Sequence, residues 1–322
     1  MVSIVRLAAA AFALAASAAA FAQGYPSKPV KVVVPWPPGQ ATDVAARAVA
    51  DKLSLVLGQS FVIDNRAGAG GTMGTDFAAK APPDGYTILA GSSGPISISP
   101  HVQKVPYDPD KDLEPIALIA STPYVLVVTP SLPVATVQEF IALLRANPGK
   151  YNFASSGTGA TSHLVGELFN STSRVTATHV PYKGSSPALT DVIAGHVTYT
   201  FETSASVLAH VKAGKLKALA VSSAARALSL PEIPTLVEAV GYAGFDLRAW
   251  IGLVAPAGIP REARARLAAE TQRALSTAEM KERLLGLGLE PSTLTAEEFG
   301  PFVKQQNERF GAIARQAKIQ VQ

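Results

Sequence analysis

No cysteine occurs among the 322 residues, which excludes disulfides, thiolate catalysis, thiolate-ligated metals and a lipid anchor on a leading cysteine. Charge is scarce as well. Only 16% of the residues are Asp, Glu, Lys or Arg, and the net charge of +4 is spread without a run of Lys or Arg. A pI near 9.2 with neither a basic stripe nor an aromatic RNA-binding motif gives nucleic acid no footing. Catalytic signatures are missing too: there is no G-x-S-x-G elbow, no H-E-x-x-H and no Walker-type G-x-x-x-x-G-K. The histidines at 101, 163, 179, 196 and 210 are far apart in sequence, so a metal site would have to be assembled by folding. Neither a metal nor a cofactor is expected.

The first 22 residues carry Arg6, an apolar stretch from Leu7 to Ala16, and the small-residue end Ala20, Phe21, Ala22 before Gln23. That is the pattern of a secretory signal peptide cleaved after Ala22. The run is Ala-rich and shorter than the roughly 20 residues of a spanning helix. Cleavage removes one Arg and no acid, leaving 4 − 1 = +3 on 322 − 22 = 300 residues. No later segment reads as a membrane span. The expected product is an exported chain, not membrane-embedded, periplasmic in a Gram-negative host and monomeric.

What remains is long enough for two lobes, and its hydrophobic content of 48% is that of a packed protein. Short apolar runs near 30–34, 61–64, 86–90, 116–120, 124–129, 177–180, 197–201, 217–221 and 250–254 alternate with helical patterns. This predicts α/β layers with largely parallel sheets. In the first helix Ala45, Ala48, Val49, Leu53 and Val56 share a face opposite Arg47, Asp51 and Ser54. Thr136 with Glu139, Ser276 with Glu279, and Thr295 with Glu298 stand at capping-box spacing. Phe299, Phe302, Val303, Phe310 and Ile313 recur at helical spacing as core contacts. The stretches 121–125 and 244–250 are candidate crossings between lobes. They divide the mature chain into a discontinuous lobe, 23–122 plus 246–322, and an inserted lobe, 123–245, and two crossings permit hinge closure.

Residues 32–43, VVVPWPPGQATD, run a β-branched strand through a Pro and Gly turn into an amphipathic helix. Such a joint aims unpaired N–H groups and the positive end of a helix dipole at one point, which favours an anion. A second joint lies at 151–168, YNFASSGTGATSHLVGEL, where Ser155, Ser156, Thr158 and Thr161 crowd the turn beyond what capping alone requires. A third corner, GSSGPISIS at 91–99, supplies Ser92 and Ser93. Oriented N–H groups and hydroxyls hold a carboxylate without any Arg, since charge-assisted bonds are roughly twice as strong as neutral ones. Asp43 reads as a helix-end stabiliser and His163 as a packing or capping residue. The glycines of GAGGTMG, at 68, 70, 71 and 74, miss the G-x-G-x-x-G spacing and suit a tight turn for close packing.

In their order and spacing, YPSKPVKVVVPWPPGQATD, VIDNRAGAGGTMG, PDGYTIL, YNFASSGTGATSHL, HVPYKGSSPALTDVIAGHV, AGKLKALAV and WIGLVAPAGIP resemble the Bug or TctC family of periplasmic solute receptors. The likeness spans nearly all of the mature chain. It implies a two-lobed periplasmic-binding-protein type II architecture with the solute in the cleft between lobes. Carried onto this sequence, the resemblance gives the first turn as Trp36, Pro38, Gly39, Gln40, Ala41 and Thr42. The opposing turn is Ser155, Ser156, Gly157, Thr158 and Thr161, with Ser92 and Ser93 flanking both. Gln40 stands where the family usually has a second Gly, and Glu202 follows Phe201 where many members have Asp. An acid longer than Asp beside the cleft disfavours a second ligand carboxylate and favours an amine or hydroxyl.

The leading expectation is therefore a receptor, not an enzyme, that captures a small carboxylate and presents it to the permease subunits of a tripartite tricarboxylate transporter. Two other classes stay open on the residues alone: an exported hydrolase using Ser and His from separate loops, and a ligand sensor feeding a signalling partner.

Overall fold

The computed structural model describes residues 24–243 and 245–316; the expected signal peptide lies outside them. The run VKVVV forms strand β1 (Val30–Val34), as its branched side chains stiffen the extended backbone and pack well on a pleated surface. It pairs in parallel with β2 (Phe61–Asn65) on one side and β3 (Thr87–Ser92) on the other.

The remaining architecture turns on one strand of 16 residues, β4 (Leu113–Val128). From Leu113 to Pro123 it runs antiparallel to β9 (Arg248–Pro256), which is itself antiparallel to β3. From Tyr124 to Val128 it changes partners and pairs with β7 (Tyr199–Thr203) and β8 (Lys217–Val221). Beyond β7 the strand β5 (Asn152–Ser155) is parallel both to β7 and to β6 (Thr178–Pro181). A two-residue β10 (Glu290–Pro291) pairs with β4 at Ala120 and Ser121. The register of β4 shifts between Pro115 and Ala117, Leu118 and Ala120, and Leu126 and Val127. Such irregularities bend a strand and increase its twist, so β4 serves two groups of strands that curl away from each other. The chain returns at Leu247, whose N–H donates to the Ser222 carbonyl at 2.8 Å, and enters β9 with Arg248 opposite Pro123.

Helices cover both groups. The helix Ala41–Leu57 buries Ala45, Ala48, Val49 and Leu53 in one cluster with Ile119 and Leu267. A second cluster stacks Phe140, Phe153, Phe169, Tyr199 and Phe201, all fully or almost fully buried. Burying each such ring contributes roughly 2–3 kcal/mol. The C-terminal helix Ala296–Gln316 sends Phe299, Val303 and Phe310 into the core, with Phe302 and Ile313 packed at its margin.

Four details differ from the sequence pattern. The sheets are mixed rather than largely parallel, because β4 and β9 run antiparallel to their neighbours. The runs 116–120 and 124–129 belong to one strand, not two. Val56 is 47% exposed, in the last turn before the left-handed Gly58 cap. Finally, the helix Ala278–Gly286 is capped by Thr277, which accepts from the Met280 N–H, while Ser276 bonds back to the Arg273 carbonyl. Thr136 with Glu139 and Thr295 with Glu298 do form reciprocal caps.

Candidate functional site

The first turn is built around a buried carboxylate. Gly39 takes a left-handed φ of 82°, which suits glycine, and the helix begins two residues later. Asp43 accepts from the Gly39 N–H (2.9 Å), Arg47 Nε (2.9 Å) and Asn65 Nδ2 (2.8 Å), and Asn65 also donates to the Trp36 carbonyl at 2.9 Å. Burial alone would raise the Asp43 pKa. The bonds from Arg47, Asn65 and Gly39, with the charge of Arg47, outweigh it and hold the carboxyl below its ordinary range. Asp43 thus fastens the turn, leaving the first N–H groups of the helix free of side-chain caps.

Two further corners meet this turn. At the end of β3, Ser92 accepts from Trp36 Nε1 at 2.9 Å, and the Ser93 hydroxyl lies 3.0 Å from that of Thr161. Thr161 opens the helix Thr161–Ser173 after β5, again without a side-chain cap on its first N–H groups. The intervening loop is fixed from below. Ser162 Oγ accepts from the Ser156 N–H (2.9 Å) and bonds the Ser156 hydroxyl (2.8 Å), while Ser155 Oγ bonds His179 Nε2 at 2.6 Å. His179 stacks on His163 with ring centres 4.0 Å apart. Burial first, then the neighbouring His163, pushes the His179 pKa down to about 3. These rings are packing partners of Phe153, and the fully buried Ser155 faces them rather than a substrate-sized space.

Between the corners lies a cavity whose empty volume is about 360 Å³, open solvent at its mouth included. Its walls are Trp36, Gln40, Ala41, Thr42, Ser92, Ser93, Ser156, Thr161 and Glu202, together with Gly94, Tyr124, Thr203, Ala249 and Ile251. The other residues singled out in the sequence are not on this wall. Pro38 and Gly39 are exposed on the turn, Ser155 is tied to His179, and Gly157 and Thr158 pack against Gly70. The approach at Gly70 is tight: a Cβ there would stand 2.7 Å from the Thr158 carbonyl oxygen. A Cβ on Gly184 would come as close to Pro37 Cγ, at 2.6 Å.

Of the wall residues that sequence reasoning missed, Thr203 had a readable signal. It ends the strand YTFET just before a helical pattern, and it caps the helix Ser204–Lys212 by accepting from the Ser206 N–H. Tyr124, Ala249 and Ile251 sit inside apolar stretches that look like ordinary core.

Glu202 is the one Asp, Glu, Lys, Arg or His on the wall. It is 1% exposed; its Oε2 accepts from Ser185 Oγ at 2.6 Å, and its Oε1 has no partner. Burial raises its pKa to about 7 against the lowering effect of the Ser185 and Thr203 hydrogen bonds. Gln40, 8% exposed, likewise leaves its Oε1 unpartnered. Among the described residues, no group of three or more His, Asp or Glu is placed to hold a metal ion.

A family model described as the tripartite tricarboxylate transporter family receptor, TctC, matches residues 45–319. The chain belongs to this family. Solved structures agree on the architecture. The periplasmic binding protein BugD is 35% identical, with a TM-score of 0.87, and the match covers 92% of this chain and 100% of that one. The R. palustris protein Rpa4515 with adipate is 35% identical at a TM-score of 0.88, covering 91% and 98%. MatC from Rhodopseudomonas palustris with bound malate is 32% identical at 0.85, covering 90% and 99%. This TctC-type receptor is thus an α/β protein of the two-lobed periplasmic-binding-protein type, in a family of solute receptors rather than enzymes. No helix of the described residues is long and apolar enough to cross a membrane.

Proposed function

We propose that the chain is an exported receptor that closes two lobes on a small carboxylate and delivers it to the permease subunits of a tripartite tricarboxylate-type transporter. One lobe comprises residues 23–122 with 246–322 and the other 123–245, so that β4 and the entry into β9 form the hinge. Residues 1–22 are the signal peptide that directs the chain to the periplasm. Ligand classes compatible with the reading are di- or tricarboxylates, amino acids and aromatic acids. Adipate in Rpa4515 and malate in MatC fall within them.

The observation that carries this reading is the composition of the buried cavity. The starts of the helices Ala41–Leu57 and Thr161–Ser173 reach it, and the hydroxyls of Thr42, Ser92, Ser93, Ser156 and Thr161 line it without any Arg or Lys. Helix-start N–H groups with hydroxyls select an anion of small radius, and closure around it replaces water by fixed dipoles. Trp36, Gln40, Ala41, Thr42, Ser92, Ser93, Ser156, Thr161 and Glu202 are the proposed contacts. Pro38, Gly39, Ser155, Gly157 and Thr158 shape the two turns.

Isothermal titration of the purified mature chain against a carboxylate panel tests the proposal. Stoichiometric binding without product is expected, with a stabilisation of about 2.7 kcal/mol when ligand stands at 100 times its Kd. A folded protein that binds none of the panel overturns the reading, and catalytic turnover would move the chain to the hydrolase class.

A further inference from the structure

The cavity wall carries two kinds of group. Helix starts and hydroxyls offer donors, whereas Gln40 Oε1 and Glu202 Oε1 are buried acceptors without partners. Both belong to the surroundings of one turn: a Cβ on Gly184 would lie 3.4 Å from Gln40 Oε1, and the next residue, Ser185, donates to Glu202 Oε2. Gln40 can present oxygen or nitrogen by turning its amide, so Glu202 decides which group is wanted.

Among the described residues, Glu202 is in no ion pair. Tyr124 on β4 is the titratable side chain that feels its charge. Charged groups on the neighbouring elements are engaged elsewhere. Asp43 bonds Arg47, Asp191 accepts from Tyr182, Glu167 lies beside His163, Arg248 pairs with Glu290, and Lys217 donates to the carbonyls of Leu132 and Val134. His210 and Lys212 sit in the last turn of the helix that begins at Ser204; His210 lines a neighbouring pocket with Ser185 and Gly39, and neither is on this cavity's wall. A carboxylate buried without a counter-ion is unstable in its charged form, and a ligand that supplies the cation removes that penalty.

Resting on the receptor reading above, we infer that the solute is an amino carboxylate, its carboxylate at the helix starts and its ammonium directed at Glu202 and Gln40. The ligand is then neutral overall and meets donors with its anion and acceptors with its cation. A dicarboxylate would set a second negative group against Glu202 and could bind only with a proton taken up. The half-ionised state of free Glu202 near neutral pH, with a pKa of about 7, makes the two cases separable by proton linkage. An ammonium drives a proton off Glu202 on binding, and a second carboxylate draws one on.

The experiment titrates the whole mature protein with chain-matched acids of three to six carbons. Each has a carboxylate at one end and an ammonium, a hydroxyl or a second carboxylate at the other, and glycine, alanine and aspartate are added for α-amino placement. Runs at pH 6.5 in PIPES and in ACES, which both buffer there and differ in ionisation heat, count protons exchanged. The expected result is at least a tenfold preference for one amino carboxylate over its matched diacid at pH 8, with proton release at pH 6.5 and a weaker preference at pH 5.5. Glu202→Gln should erase both the preference and the proton release at pH 6.5. Tighter binding of the diacid with proton uptake, or equal binding of the hydroxy acid, overturns this inference and leaves the receptor reading standing. No binding of any acid by folded protein overturns both.

Discussion

Asp43 and Glu202 are both 1% exposed, yet their surroundings drive them in opposite directions. Around Asp43, Gly39, Arg47 and Asn65 satisfy the charge and hold the pKa low. Around Glu202, Ser185 and the Thr203 N–H are outweighed by burial, and one oxygen is left bare. A carboxylate that is part of the scaffold brings its partners with it. One that faces the cavity is left short of them, as a group reserved for a ligand would be.

The largest expected effect breaks the scaffold side of this contrast. Asp43→Ala leaves the Gly39 N–H and Asn65 amide without their acceptor, and should cost about 3 kcal/mol of stability by urea unfolding at pH 7. Because the Asp43 pKa is depressed in the folded state, its contribution is present above the ordinary carboxylate range and is lost as pH falls through the folded value. The variant should therefore flatten the acid limb of the stability curve. An unchanged midpoint would mean that the turn is held by its neighbours alone.

The next effect has the opposite sign. For Glu202 the folded pKa of about 7 lies above the ordinary value of 4.5, so its contribution is fully present below 4.5 and is lost as pH rises through 7. The shift, in which the bond from Ser185 is already included, corresponds to about 3 kcal/mol. Glu202→Gln should thus stabilise the protein by up to about 3 kcal/mol at pH 8 and have little effect at pH 4.5. Equal shifts at both pH values would show that burial does not penalise this charge.

Much of the scaffold side was legible in the chain. The joint at 32–43 announces itself because β-branched residues, a Pro and Gly turn and a helical apolar pattern all agree locally. Asp43 could be assigned its fastening role from its place in the first helical turn. Less legible was whatever depends on residues distant in sequence. The Ser155–His179 bond joins positions 24 apart, and the Gly70–Thr158 approach joins different corners of the fold. Nothing in GAGGTMG distinguishes Gly70 from its neighbours until another loop is laid against it. Likewise, the STP within β4 looks like a break. Pairing to β9 and β10 supplies the hydrogen bonds that keep Ser121 and Thr122 extended, overriding the local signal.

Gly70 gives a third test, smaller than those on the carboxylates. Its φ of 65° and the 2.7 Å approach of a would-be Cβ to the Thr158 carbonyl mean that Gly70→Ala must push the two turns apart. Affinity for the best carboxylate should fall by about tenfold, or about 1.4 kcal/mol, by titration calorimetry. An unaltered Kd would mean that binding does not need these loops in contact.

The smallest test separates two hydroxyls of the second turn that the sequence treats alike. Ser156 is buried on the cavity wall, where its hydroxyl shares Ser162 at 2.8 Å. Thr158 is off that wall, and its carbonyl is what meets Gly70. Backbone carbonyls survive side-chain truncation, so the two alanine variants should diverge. Ser156→Ala should weaken carboxylate binding by about 1 kcal/mol, the worth of one hydrogen bond, whereas Thr158→Ala should change it by less than about 0.5 kcal/mol. Measured side by side under one set of conditions, a larger loss from Thr158→Ala would put the ligand on the other side of this loop. The contrast between Glu202 and Asp43 would then need another explanation than a solute held between the turns.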